Sequence, residues 1–267
     1  MNEYLSGEKL YGDDFTIDQI QDWYEKESEG YADLGSKIKS NYNYFYHALN
    51  EVHGFNKLKN KSFENVLGFG AAYGFEFDPI ISKIKNLTII EPSDNLLSEK
   101  IGNLIPKYVK PEINGTLKFE SNSFDLITCY GTLHHIPNVS HIINELIRVL
   151  KPNGYLLIRE PVISLGDWNF PRKGLTRNER GIPISIFEQI FRKEPVKIIS
   201  KSFCLTSVSF FYNSTKKLLS KPIFAYKSFV IFDKILSLIF NGNIHYHAIK
   251  RRHRIAPTNV FYLVKKH

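Results

Sequence analysis

From residue 64 onward, short unbroken apolar runs alternate with amphipathic helical patterns, and few folds accommodate that alternation. "ENVLGFG", "LTIIEP", "FDLITCYG" and "GYLLIREP" each read as a strand. Between the last two lies "VSHIINELIRVLKPNG". It sets Ile142, Ile143, Leu146, Val149 and Leu150 on one helical face, and Pro152 and Gly154 stop it. Further on, "ISIFEQIFRKE" reads as a helix, and "VKIISKSF" and "NVFYLVKK" as strands. Strands interleaved with helices form βαβ units and a parallel sheet. The runs are continuous, as expected of strands covered on both faces. The fold class is α/β: a doubly wound, mostly parallel sheet with helices on both faces.

Residues 1–60 read as an N-terminal helical cap. "TIDQIQDWYEKES" opens at Thr16, with Gln19 at capping-box spacing. Ile17, Ile20 and Tyr24 are expected on one face, and "YNYFYHALNEVHGF" adds an aromatic stripe. Residues 61–267 read as the sheet domain, with a helical insertion at about 207–255 before the last strand. Cap and insertion are expected to cover the cleft, with Trp23, Tyr24 and Tyr31 packed on a cofactor or in the core. The stretch 221–240 is apolar, but Lys227, Asp233 and Lys234 interrupt it. It reads as amphipathic rather than as a membrane span.

The turn "GFGAAYG" closes the first strand. In such sheets ligands bind beyond the carboxyl ends of the strands. Small residues permit positive φ and leave room for a ligand. Gly68, Gly70, Ala71, Ala72 and Gly74 are therefore read as clearing space for a nucleotide-like cofactor. Alone, such a loop serves NAD, FAD, ATP or S-adenosylmethionine equally, or is only a tight turn. No Gly-Lys-Ser/Thr follows, which argues against a P-loop. Glu91, at the end of the second strand, stands where a carboxylate can take two ribose hydroxyls.

The formal charge of +8 favours anionic partners, yet its densest cluster is only "KRRHR", Lys250 to Arg254. No nucleic-acid partner is expected. Two cysteines, Cys129 and Cys204, make no disulfide framework and read as reduced core thiols of a cytoplasmic protein. The N-terminus has neither a basic region nor an apolar one of signal-peptide type. No histidine, cysteine or carboxylate cluster has metal-ligand spacing, so no metal is assigned.

The block "NSFDLITCYGTLHHIPNVSHIINELIRVLKPNGYLLIRE", with the glycine loop before it, resembles the class I S-adenosylmethionine-dependent methyltransferases over residues 60–162. The resemblance implies a Rossmann-like seven-stranded sheet and S-adenosylmethionine as cofactor. By position it implies a methionine-binding loop at Gly70, Ala72 and Gly74, and ribose contact at Glu91 beside Pro92. Adenine contact falls near Asn114 and Gly115. Tyr130 and Gly131 fall beside the sulfonium, with His134 and His135 toward the substrate. The chain departs from the family at Gly68, where an acidic residue is usual, and at Ala72, where glycine is. Glu76 is a candidate substitute for the lost carboxylate. Pro79 should delay the first helix to about Asp78. Downstream, "REPVISLGDWNFPRKGLTRNERGIP" resembles a subgroup associated with sugar and surface-polysaccharide gene clusters.

Methyl transfer from a sulfonium is an in-line displacement, so the protein mainly aligns a nucleophile and takes its proton. His134 and His135 are candidate bases, with Glu160 and Asp167 as alternatives. Asp167, Arg172, Arg177 and Arg180 are candidate substrate contacts, the arginines suited to phosphate. The substrate implied is a sugar or nucleotide-linked sugar hydroxyl. Three rivals stand beside this reading. One is a nicotinamide-dependent reductase, which "YNSTK" (Tyr212 to Lys216) would suit. Another is a methyltransferase of other specificity, RNA included. The third is a non-catalytic scaffold of the same fold.

Overall fold

The computed structural model describes residues 2–32, 39, 42–206, 215 and 218–267. Its centre is one seven-stranded sheet in the order β3-β2-β1-β4-β5-β7-β6. The strands are β1 (Phe63–Phe69), β2 (Ile84–Ile90), β3 (Lys107–Val109), β4 (Phe124–Tyr130), β5 (Leu150–Pro161), β6 (Val196–Cys204) and β7 (Asn259–Lys266). All neighbours are parallel except β7, which runs antiparallel to β5 and β6. β1 lies between β2 and β4, so the chain reverses its winding there and opens a crevice past the strand ends.

Alternate residues of each strand feed two apolar layers. Val260, Tyr262 and Val264 join Leu67, Ile127 and Leu156 under α4 (Val139–Val149) and α5 (Ile184–Lys193). Phe261 and Leu263 join Val66, Leu126 and Leu157 on the opposite face. There α3 (His47–His53) leads into Phe55 and Leu58, and α6 (Lys227–Phe240) packs beside it. Gly54 is required at that junction, since a Cβ would fall 2.7 Å from the Phe261 ring. Both cysteines are buried, unpaired thiols.

The N-terminal segment contributes α1 (Asn2–Ser6) and α2 (Ile17–Ala32). Gln19 Oε1 accepts the Thr16 N–H (2.9 Å), which is half of a capping box. The face expected of α2 shifts by one position. Ile17 is exposed, whereas Ile20, Trp23 and Glu27 are buried.

The segment after the glycine loop also differs from expectation. No α-helix begins at Asp78. A 3₁₀ stretch, Phe75–Lys83, starts directly after Gly74 and contains Pro79. Proline removes one donor and its ring crowds the preceding turn, so an α-helical ladder cannot pass through it. Of the 207–240 region, 207–214, 216 and 217 lie outside the described residues, and with them the Tyr212–Lys216 pair. So does the side chain of Tyr31. No helix among the described residues is long and apolar enough to cross a membrane.

Candidate active site

The glycine turn is built by close packing. Gly70 has φ +69°, and its N–H donates to the Ile90 carbonyl (2.9 Å). A Cβ on Gly70 would fall 2.3 Å from Thr132 Cγ2, and one on Gly74 (φ +75°) 2.2 Å from Ile101 Cδ1. A Cβ on Gly68 would meet Ala71 and Phe77 at 2.8 and 2.9 Å. The missing side chains thus make room for protein more than for ligand. Gly70, Ala71 and Ala72 line the crevice, while Gly68 and Gly74 lie outside its lining. Ala72 itself takes positive φ (+46°). Glu91 fixes that conformation: it is buried, and its two oxygens accept the N–H groups of Ala72 (3.1 Å) and Ser93 (3.0 Å). Burial pushes its carboxyl up. Glu91 lines neither cavity as it stands.

Two cavities meet at Gly70. The smaller, about 420 Å³, is an apolar slot bounded by Tyr24, Ile90, Pro92, Ser93, Ile113, Gly115, Leu117 and Ile142. Asn114 stays out of the slot: its Oδ1 accepts the Thr116 N–H and its carbonyl takes Asn138 Nδ2. The larger cavity, about 860 Å³, is bounded by Ala71, Ala72, Glu76, Tyr130, Gly131, His134, His135 and Arg159. Lys26, Tyr42, Tyr44, Tyr46, Arg177 and Glu179 also line it. Trp23 does not reach either cavity. It is a core residue whose Nε1–H donates to the His135 carbonyl (2.8 Å).

His134 stands in the turn after β4. Its Nδ1–H donates to Glu160 Oε2 (2.7 Å), at the end of β5. Glu160 is fully buried, and its other oxygen accepts the N–H groups of Thr132 and Leu133 (2.8 and 2.9 Å). Glu160 is therefore occupied in holding the turn and the imidazole. With Nδ1 protonated, Nε2 is left as the acceptor, 3.7 Å from Glu179 Oε1. Burial and the adjacent His135 ring hold His134 below its ordinary value of 6.5, against the pull of Glu160 and Glu179. His135 is braced by the buried Glu27, with Nδ1 to Oε2 at 3.3 Å.

Donor atoms of His134, His135 and Glu179 all lie within 4.8 Å of one another, close enough to share a cation. The sequence hides this cluster, because Glu179 comes from the long loop after β5.

That loop sorts the other candidates. Arg172 spends its guanidinium on four carbonyls of its own loop: Leu165, Thr176, Arg177 and Glu179. Arg180 is completely buried and donates to the carbonyls of Tyr11, Leu133, His134 and Pro137. These two are clamps with no donor aimed at the cavity, and only Arg177 lines it. Asp167 lies outside as well, closing a turn on Asn169 (2.9 Å).

Two further residues of the larger cavity carry charge: Arg159, which the pattern of the sequence does not flag, and Glu76, the candidate substitute for the missing strand carboxylate. Arg159 is buried, donates to Asn50 Oδ1 (2.9 Å) and lies 4.1 Å from the Tyr46 ring centroid. Glu76 is buried, accepts the Thr128 hydroxyl (2.5 Å), and is pushed up to about 7 by burial. Because its native value lies above its free value of 4.5, the folded state loses stability as pH rises from about 4.5 to 7. Glu76→Gln is accordingly expected to stabilise the ligand-free protein at pH 8 by on the order of 3 kcal/mol. The gain should vanish near pH 4, as read by urea unfolding at the two pH values.

Residues 67–158 match the family described as Methyltransferase domain. Solved structures share the architecture at low identity. A [4+2]-cyclase, SpnF, is 14% identical with a TM-score of 0.51, covering 82% of this chain and 81% of its own. An S-adenosylmethionine-dependent methyltransferase from Mesorhizobium loti is 10% identical with a TM-score of 0.50, covering 77% and 92%. A putative sarcosine dimethylglycine methyltransferase from Galdieria sulphuraria is 14% identical with a TM-score of 0.50, covering 79% and 83%. No curated protein matches the sequence. Together, the Rossmann-like sheet, the crevice at its reversal point and the match over residues 67–158 support an S-adenosylmethionine-dependent methyltransferase.

Proposed function

We propose that the protein O-methylates a hydroxyl of a sugar or nucleotide-linked sugar, with His134 as general base. The observation that carries this reading is His134 in the wall of the larger cavity beside Gly131, its Nδ1 held from behind by the fully buried Glu160. The cofactor supplies the electrophilic methyl group when bound. Its adenine suits the apolar slot between Pro92, Gly115 and Ile142, while Glu91, buried behind the turn, would reach a ribose only with its remaining lone pairs and after a side-chain shift. Glu76 and Arg159 offer opposite charges for the amino and carboxylate groups of the methionine part. Glu76 would then replace the strand carboxylate missing at Gly68.

On the substrate side, His134 Nε2 would take the hydroxyl proton, while the bound cofactor would supply the methyl group, its sulfur–methyl bond breaking so that S-adenosylhomocysteine leaves. The imidazolium so formed lies between Glu160 and Glu179, which favour its charge. Holding the two reactants in line contributes up to about 7–11 kcal/mol in favourable cases. Tyr42, Tyr44 and Tyr46 line the cavity, and aromatic side chains suit sugar C–H groups. Lys26 and Arg177 suit a diphosphate. The same proposal keeps the protein in the cytoplasm, with residues 1–60 as a helical cap and about 207–255 as an insertion over the cleft.

The cyclase with the same fold makes an acceptor test necessary, because fold alone does not set chemistry. Labelled S-adenosylmethionine should transfer its methyl group to a member of a sugar and nucleotide-sugar panel, giving an O-methyl product by mass spectrometry. Transfer only to amines or to RNA would overturn the sugar assignment.

A further inference from the structure

Helix α6 is amphipathic in the reverse of the usual sense. Its buried positions are Val230, Asp233 and Ser237. Asp233 accepts the N–H groups of Leu205 and Thr206 (2.7 Å each), and Ser237 Oγ pairs with Thr206 Oγ1 (2.6 Å). Polar anchoring thus fixes which side of the helix faces in. The outward side carries Ile231, Phe232, Ile235, Leu238 and Ile239, from 49% to 66% exposed. At about 100° per residue these five fall within an arc of about 120°, opposite the buried three. A helix stabilised only by its own core would turn these side chains inward.

A basic turn adjoins the C-terminal end of this helix. Past the helix end, Asn243 Nδ2 donates to the carbonyls of Arg252 (2.8 Å) and Ile255 (2.9 Å), which holds the Arg251–Arg254 turn at that end. Lys250, Arg251, Arg252 and Arg254 are exposed, as are Ile249 (77%) and Ile255 (50%). Between Leu218 and Ile255 the sequence has seven Lys and Arg residues and one acidic residue. That acid is the buried Asp233, so the stretch shows solvent no carboxylate of its own. Glu51 of α3 is the acidic group beside it, and it pairs with Lys227 (3.3 Å).

From this we infer that α6 and the Arg251–Arg254 turn dock the protein on an anionic lipid bilayer, with the helix lying in the surface plane. Basic residues draw the turn to acidic headgroups, and the isoleucine, leucine and phenylalanine side chains enter the acyl boundary. The 14-residue helix is about 21 Å long, too short for a hydrocarbon core of about 30 Å, so it lies on the bilayer and does not span it. A second copy of the chain fits the face less well, since a symmetric contact would set these cations against one another. The inference stands independently of the substrate and the base.

The test is co-sedimentation of the full chain with vesicles at about 0.1 M salt. One set is phosphatidylcholine, and the other contains about one third phosphatidylglycerol. Binding should be confined largely to the anionic vesicles and should weaken with added salt. Ile235→Glu with Leu238→Glu should lower partitioning at least about tenfold. Arg251→Glu with Arg252→Glu should lower it by a similar factor and flatten the salt dependence. All four positions are exposed, and unchanged binding of S-adenosylhomocysteine would show the variants folded. Equal binding to both vesicle types, or no loss in the variants, overturns the inference. So does a wild-type dimer in sedimentation velocity that the Ile235 and Leu238 substitutions dissociate, which would assign the face to a second copy.

Discussion

Replacing His134 with alanine lowers kcat by about 10²–10⁴-fold, the range a positioned general base supplies, while leaving the affinity for S-adenosylhomocysteine unchanged. The separation follows from where the ring sits. It lines the larger cavity and takes no part in the apolar slot or the glycine turn. Its hydrogen bond to the turn passes through Glu160, which keeps the Thr132 and Leu133 N–H groups when the imidazole is gone. The pH profile distinguishes a base from a merely structural residue. His134 must be neutral to accept a proton, and burial with the His135 ring keeps its value below 6.5. Wild-type kcat should therefore hold through neutral pH and fall on an acid limb below 6.5. In His134→Ala the residual activity should lose that limb. Glu160→Gln should show a weaker form of the same defect, because the amide cannot hold the imidazole in one tautomer as a carboxylate does.

Gly70→Ala is expected to weaken cofactor binding by on the order of 10- to 100-fold, through displacement of a neighbouring turn. Two costs act at once. A non-glycine residue in the left-handed region is disfavoured by about 1–2 kcal/mol. The added methyl also falls 2.3 Å from Thr132 Cγ2 and 2.5 Å from its hydroxyl. Thr132 cannot simply rotate away. Its hydroxyl donates to the Phe69 carbonyl (3.2 Å) and its N–H to Glu160 (2.8 Å). Relief requires moving the turn that carries Leu133, His134 and His135, at the point where both cavities meet. Titration of the variant with S-adenosylhomocysteine gives the loss directly. A Thr132→Ala background should restore part of the affinity, since it removes two of the three atoms in collision.

The central strands were legible because they are buried on both faces and so are written as unbroken apolar runs. Leu126 and Ile127 of β4, and Leu156 to Ile158 of β5, are all fully buried. Strand β3 was not legible, since it has three residues, Lys107 to Val109, none of them buried. Pro79 was correctly seen as a disturbance, but the 3₁₀ outcome depends on Gly74 turning the chain immediately before it. The glycines were located well and explained less well: their neighbours are Thr132, Ile101 and Phe77, which no local pattern reveals.

The site shows a similar division. His134 and His135 stand out in sequence, and both line the larger cavity. Arg159 looks like one charge at the end of an apolar strand. Its meaning comes from Asn50 and Tyr46, more than 100 residues earlier, brought over it by α3 and the segment before it. Arg172, Arg177 and Arg180 are alike in sequence. Only the path of the loop decides that two are spent on carbonyls and one reaches the cavity. The reversed face of α6 is hidden for the same reason, since hydrophobic spacing alone cannot show that Asp233 is the anchored side.

Methyl transfer requires that the crevice at Gly70 accept a methyl-donor nucleoside. Calorimetric titration of the purified protein with S-adenosylhomocysteine, and separately with NADPH, tests it most directly. One saturable site is expected for S-adenosylhomocysteine, lost when Ile142→Trp fills the apolar slot, and no heat with NADPH. Saturable binding of NADPH with none of S-adenosylhomocysteine would contradict it.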